Sequence, residues 1–219
     1  MLADPTGTGA AGLVLAEIYE TDSALLACRA EIRRAFELVE GVLSLGGQIL
    51  VCGNGGSASD SEHIAGELAK SCALPRPLDA AGRRSLADCG DDGYLADHLE
   101  VGFPVVPLVC QSALITAVAN DQGGDLIFAQ QVFAYGRQGD LLWVLSTSGT
   151  SPNVIHALRT ARAVGMRTLG FSGPHPRGMQ GLCDVLIAVP GQSVPAIQHA
   201  HQLVYHALCI AVEAQRFAR

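Results

Sequence analysis

Four short apolar runs bounded by glycine and polar residues constrain this chain more than any other feature: Gln48 to Cys52, Leu141 to Leu145, Thr168 to Phe171 and Val185 to Val189. None alternates apolar with polar residues, which suits strands covered on both faces. Helix-like segments alternate with most of them, at Ala58 to Ser71, Ala113 to Ala119, Leu126 to Tyr135, Pro152 to Val164 and Ala196 to Phe217. Strand followed by helix, repeated, predicts an α/β fold with a central parallel sheet between helical layers.

Before the first strand, residues 11 to 45 read as two helices or one bent helix, stopped by Gly46-Gly47. We expect residues 1–45 to be a helical segment packing on the domain and on neighbouring subunits, and residues 46–219 to be one domain. Residues 72 to 110 carry Pro75, Pro77, Pro104, Pro107 and the acidic run from Asp88 to Asp92. They read as an irregular insertion with one short helix at Tyr94 to Glu100.

Composition narrows the function. Apolar residues make up 49% of the chain and charged residues 16%, so much helix surface must be covered, some of it in a homo-oligomer. The net charge of −7, without a basic stripe, argues against nucleic acid as a partner. The start of the chain has no basic segment of a signal peptide, and no apolar run is long enough to span a membrane. Seven cysteines without CxxC spacing read as reduced core residues of a cytoplasmic protein.

Two loops of small residues stand out. Cys52-Gly53-Asn54-Gly55-Gly56-Ser57-Ala58-Ser59 follows a strand and opens a helix, where glycine lets backbone N–H groups approach an anion. A tight turn with Ser57 as helix cap is the plainer reading. Ser146-Thr147-Ser148-Gly149-Thr150-Ser151-Pro152-Asn153 occupies the same position after a later strand, and its hydroxyls make a neutral cradle for a phosphate. Here too a helix cap is the simpler alternative.

His63 and Glu67 lie one helical turn apart, either as ligand and base or as a surface pair. Gln198 and His206 share the last helix, about 12 Å apart along a straight axis. One site could use both through a helix break or a second subunit. His199 and His201 read as buried, hydrogen-bonded core residues.

Taken together, Cys52-Gly-Asn-Gly-Gly-Ser57, His63-x-x-x-Glu67, Asn120-Asp121, Ser146-Thr-Ser-Gly-x-Ser151-x-Asn-Val154 and Gln198-x(7)-His206 resemble the phosphoheptose isomerases, a branch of the sugar-isomerase (SIS) fold. The resemblance implies an SIS-type three-layer αβα sandwich whose long flanking helices serve oligomerisation. It also implies a zinc-dependent conversion of sedoheptulose 7-phosphate to an aldoheptose 7-phosphate of the manno configuration. By the same likeness Asn54, Gly55, Gly56, Ser57, Asn120 and Asp121 contact substrate, and Ser146, Thr147, Ser148 and Ser151 hold its phosphate. Zinc falls to His63, Glu67, Gln198 and His206, the acid and base are Glu67 and His206, and a homotetramer shares its sites between subunits.

Three departures accompany the likeness: a longer stretch between Glu67 and Asp121, Ser71 where the family has arginine, and Pro195 where it has an acidic residue. The competing class is a non-catalytic SIS protein that binds sugar phosphates or a replication initiator. Retention of both Glu67 and His206 weighs against it.

Overall fold

The computed structural model describes residues 9–218. In chain order they form α1 (Ala10–Thr21), a 3-10 turn (Ser23–Cys28), α2 (Arg29–Ser44), β1 (Ile49–Gly53), α3 (Gly56–Ala69), α4 (Ala80–Asp88) and α5 (Tyr94–His98). There follow β2 (Val105–Pro107), α6 (Ser112–Asp121), α7 (Ile127–Tyr135), β3 (Leu141–Ser146), α8 (Pro152–Val164), β4 (Arg167–Ser172), β5 (Val185–Ala188) and α9 (Val194–Phe217). The first eight residues of the expected N-terminal segment lie outside the described residues.

All five strands run parallel in the order β2-β1-β3-β4-β5. The apolar runs make sense against the two cores. Ile49, Val51, Leu141, Trp143, Leu145, Leu169 and Phe171 face a core shared with α1, α2 and α9. The alternate residues Leu50, Cys52, Leu142 and Val144 face the other, shared with α7 and α8. A strand sandwiched this way has no solvent face on which to place polar residues.

At the end of α2, Gly46 takes a left-handed conformation (φ 78°) and the Gly47 N–H bonds back to the Val42 carbonyl at 3.0 Å. The chain then enters β1.

The stretch from 72 to 110 is more regular than its prolines suggested. It holds two short helices, α4 capped by Asp79 and α5, and then supplies the edge strand β2, which pairs with Ile49 to Val51. Pro104 and Pro107 are tolerated there because an edge strand needs only one row of backbone bonds.

The cysteine expectation holds only in part. Cys28, Cys52 and Cys209 are buried, while Cys72, Cys89 and Cys110 are exposed; all seven are free thiols.

The feature that sequence reasoning missed is a buried ion pair. Arg76 and Glu213 are both fully buried, with Arg76 Nε donating to Glu213 Oε1 at 2.7 Å. Glu213 also accepts the backbone N–H groups of Cys72, Ala73 and Leu74. The remaining guanidinium nitrogens donate to the Leu68 and Glu67 carbonyls at 2.8 and 2.9 Å, capping the end of α3, with the Phe103 ring 4.8 Å away. Burial alone would raise the Glu213 pKa, but the three N–H groups and Arg76 outweigh it and hold the carboxyl below its ordinary value.

Removing one partner leaves the other charged and buried, so Arg76→Met should lower the unfolding free energy by about 3–5 kcal/mol in a urea titration at neutral pH. Because the Glu213 pKa is depressed, its contribution is complete above the unfolded glutamate value of about 4.3 and is lost as pH falls through the folded value. The gap between wild type and variant should therefore narrow below about pH 4. A gap under about 1 kcal/mol at neutral pH would mean the pair braces nothing.

Candidate active site

Both small-residue loops lie at the carboxyl ends of adjacent strands, β1 and β3. From β1 the chain crosses to β2 on one side and later to β3 on the other, so the order reverses between these two strands. Open parallel sheets bind ligands at such a point. The loops are tied together there by a reciprocal carboxamide pair, Asn54 Nδ2 to Asn153 Oδ1 and Asn153 Nδ2 to Asn54 Oδ1, both 2.9 Å.

The helix-cap alternatives fail for both loops. Ser57 lies inside α3 and is buried; the capping position is Gly55, with no side-chain cap. Ser151 precedes α8 without capping it, and the Val154 N–H is met by Asn153 Oδ1 instead. The hydroxyls bond among themselves: Ser146 Oγ lies 3.2 Å from Ser151 Oγ, and Thr150 Oγ1 3.1 Å from Ser148 Oγ. They line a turn entered through Gly149 (φ 65°), whose Cα has the Pro176 backbone packed against it. A loop whose hydroxyls pair only within the turn, beside two helix N-termini, suits a phosphate dianion.

Below the loops, α3 and α9 run side by side. His206 Nδ1 is 2.7 Å from Glu67 Oε1, and His63 Nε2 is 3.4 Å from the same oxygen. One ligand-competent atom from each of the three side chains lies within 4.8 Å of the others. Their side chains are 46% (His63), 14% (Glu67) and 33% (His206) exposed, open enough to admit a ligand. Glu67 Oε2 is buried without a hydrogen-bond partner among the described residues. Two imidazoles and one carboxylate with a free oxygen make a nitrogen and oxygen donor set that could hold a divalent metal ion.

Gln198 takes a different place. Its carboxamide packs on Gly56, where even a methyl group would collide with it. The last helix is unbroken from Val194 to Phe217, so within one chain Gln198 sits about two turns from His206, beside the first loop. Asn120 and Asp121 end α6, exposed, with Asn120 Nδ2 donating to Asp121 Oδ1 at 2.7 Å.

The two histidines expected in the core divide. His199 is exposed. His201 is fully buried edge-on to Phe171, but its ring nitrogens lack well-formed hydrogen bonds among the described residues. Burial pushes its pKa down to about 4 despite the Ser172 backbone beside it.

At the departures, the Ser71 N–H bonds Glu100 Oε2, Lys70 folds back onto the Ser71 carbonyl, and Pro195 opens α9. None of the three enters the cluster. Reasoning from sequence also passed over Asp60 and Tyr205, which stand behind His63. The signal for Tyr205 was its place next to His206; Asp60 had only its turn-spacing from His63.

The SIS domain family matches residues 100–173. A phosphoheptose isomerase of Burkholderia pseudomallei (strain K96243) is 36% identical over 208 residues, covering 94% of this chain and 93% of that protein. One from Desulfovibrio desulfuricans (strain ATCC 27774 / DSM 6949 / MB) is 40% identical over 167 residues, covering 76% and 68%. Among solved structures, the phosphoheptose isomerase of Neisseria gonorrhoeae aligns over 90% of this chain and 94% of its own, at 31% identity and a TM-score of 0.72.

Gly149→Ala places a side chain in the left-handed region and against the Pro176 backbone. It should cost at least about 1–2 kcal/mol, seen as a lower Tm, and weaken binding of inorganic phosphate. Unchanged stability would show that the turn tolerates another shape.

Proposed function

The chain belongs to the phosphoheptose isomerase family, and from that premise we propose that it interconverts sedoheptulose 7-phosphate and D-glycero-D-manno-heptose 7-phosphate through an enediol. The observation that carries the reading is the 2.7 Å approach of His206 to Glu67 beside His63, adjoining a loop pair suited to phosphate.

The chemistry follows from two proton transfers in each half-reaction. Glu67 takes a proton from C1 of the ketose while His206 delivers one to the C2 oxygen, giving the enediol. Glu67 then returns its proton to C2 and His206 takes one from the C1 oxygen, giving the aldose. Acid and base end as they began. Ser146, Thr147, Ser148 and Ser151 grip the phosphate with Asn54, Gly55, Gly56 and Ser57 across from them, and Asn120 and Asp121 complete the substrate contacts.

His63, Glu67 and His206 would hold zinc, and the ion's contribution is Lewis-acid stabilisation of the developing enediolate. Glu67 has one oxygen already facing both imidazoles and a second without a partner, so it can serve the metal and the proton. Gln198, against Gly56, is placed for the sugar; as a fourth ligand it would need a bend in α9 or another subunit's copy. Exposed Leu13, Leu26 and Phe133 support an assembly, which we take to be a homotetramer with shared sites. No helix is long and apolar enough to cross a membrane, and with seven free thiols we place the enzyme in the cytoplasm. A regulator that only bound sugar phosphates would have no use for the Glu67–His206 pair.

Purified protein incubated with sedoheptulose 7-phosphate should generate an aldose visible by NMR, and chelator should suppress it. Absence of aldose under both conditions would overturn the reading. Glu67→Gln should lower kcat by about 100-fold or more while calorimetry still detects substrate binding. Ser148→Ala should raise KM with little change in kcat, because the phosphate is held alike in ground and transition states.

A further inference from the structure

Behind the metal-competent cluster lies a second row of polar groups, in which Tyr205 is buried and Asp60 partly so. Asp60 and His63 are three residues apart on α3 and share a face. The facing residue on α9 is Tyr205, fully buried. Its hydroxyl lies 3.2 Å from His63 Nδ1 and 3.4 Å from Asp60 Oδ1, and its ring meets the His63 ring at 5.6 Å and 65°. The Gln202 carboxamide also reaches this hydroxyl. The next residue, His206, turns to Glu67.

Hydrogen-bond arithmetic fixes the direction of these contacts. A phenol carries one proton and can accept through its lone pairs, whereas an ionised carboxylate only accepts. If Tyr205 gave its proton to His63, Asp60 Oδ1 would face a lone pair, and Asp60 Oδ2 already lacks a partner among the described residues. A buried carboxylate with neither oxygen satisfied is the costlier arrangement. Tyr205 therefore donates to Asp60, and the His63 contact must be made by an Nδ1–H.

We propose that Tyr205 is a positioning residue: held by Asp60, it accepts the Nδ1 proton of His63 and fixes the tautomer whose Nε2 lone pair faces Glu67 and His206. Its consequence for zinc rests on the metal-binding reading above; the tautomer itself does not. In a protein that binds the ion, such a partner raises ligand basicity and pre-sets ring orientation.

The test is Tyr205→Phe, which removes one oxygen and keeps the ring edge-on to His63. In ¹⁵N-labelled metal-free protein at about pH 8, above the ordinary imidazole range, long-range proton–nitrogen correlations report the His63 tautomer. Wild type should show Nδ1–H, and the variant a shift toward Nε2–H. Zinc titrated against a chromophoric chelator should bind the variant about 10–100-fold more weakly, with Tm little changed. The same tautomer in both proteins overturns the assignment, whatever zinc does. Wild-type protein that takes up no zinc removes the metal from the site and leaves the spectrum to decide on Tyr205. Should the phenylalanine variant not fold, Asp60→Asn, which can donate to the phenol and turn its proton toward His63, should produce the same tautomer change.

Discussion

The Glu67–His206 contact depends on α3 and α9 keeping one spacing, and the buried Arg76–Glu213 pair ties the two helices together beside their shared apolar core. Glu213 lies seven residues, two turns, beyond His206 on α9. Arg76 reaches the main-chain carbonyls of Glu67 and of its neighbour at the end of α3. The pair joins the backbone that carries Glu67 to the helix that carries His206. A 2.7 Å contact between Glu67 and His206 is sensitive to shifts of a few tenths of an ångström, so a brace of charge-assisted bonds at its back is a mechanical requirement.

The site divides into two ends with different physics. The loop end offers backbone and hydroxyl dipoles at helix N-termini, placed by the reversal of strand order between β1 and β3 and tied by Asn54 and Asn153. The cluster end acts through ionisable groups in a partly buried setting, placed by the parallel packing of α3 and α9. Gln198 stands at the junction, against Gly56. A side chain at that glycine would push the carboxamide, the far end of a flexible side chain, out of this position. Distance between the ends is set by helix rise, so a substrate must span from phosphate to carbonyl.

Sequence alone revealed what local pattern encodes. The apolar runs became strands because a strand buried on both faces has no other composition, and α8 spans Pro152 to Val164 as its pattern predicted, with Gly165 left-handed at its end. The two loops and the His63–Glu67 spacing were legible for the same reason. The edge strand β2 was not, because three residues flanked by prolines carry no period of their own and pair only through β1. Arg76 was hidden inside a Pro-x-Pro stretch that reads as loop. Glu213 left one trace, a lone carboxylate among buried alanines and valines, but its partner is 137 residues away. Long-range satisfaction of a buried charge has no local signature.

The stretch after Glu67 is fastened close to the end of α3. Its base is closed by the Pro77–Glu100 bridge, the Val101 N–H on the Arg76 carbonyl and the Ser71 N–H on Glu100. Phe103 then bonds the Leu68 carbonyl, so the chain leaves and re-enters at the same point on α3. Lengthening a loop whose ends are already pinned costs only the slow logarithmic increase in closure entropy. No strain passes to the helices. The excursion between, with α4 wholly unburied and Tyr94, Leu95 and Leu99 exposed, is free to differ in sequence and shape without moving Glu67 against His206. Its differences therefore bear on what approaches or packs against this exposed surface, while the Glu67–His206 contact stays with the helices that Arg76 and Glu213 brace.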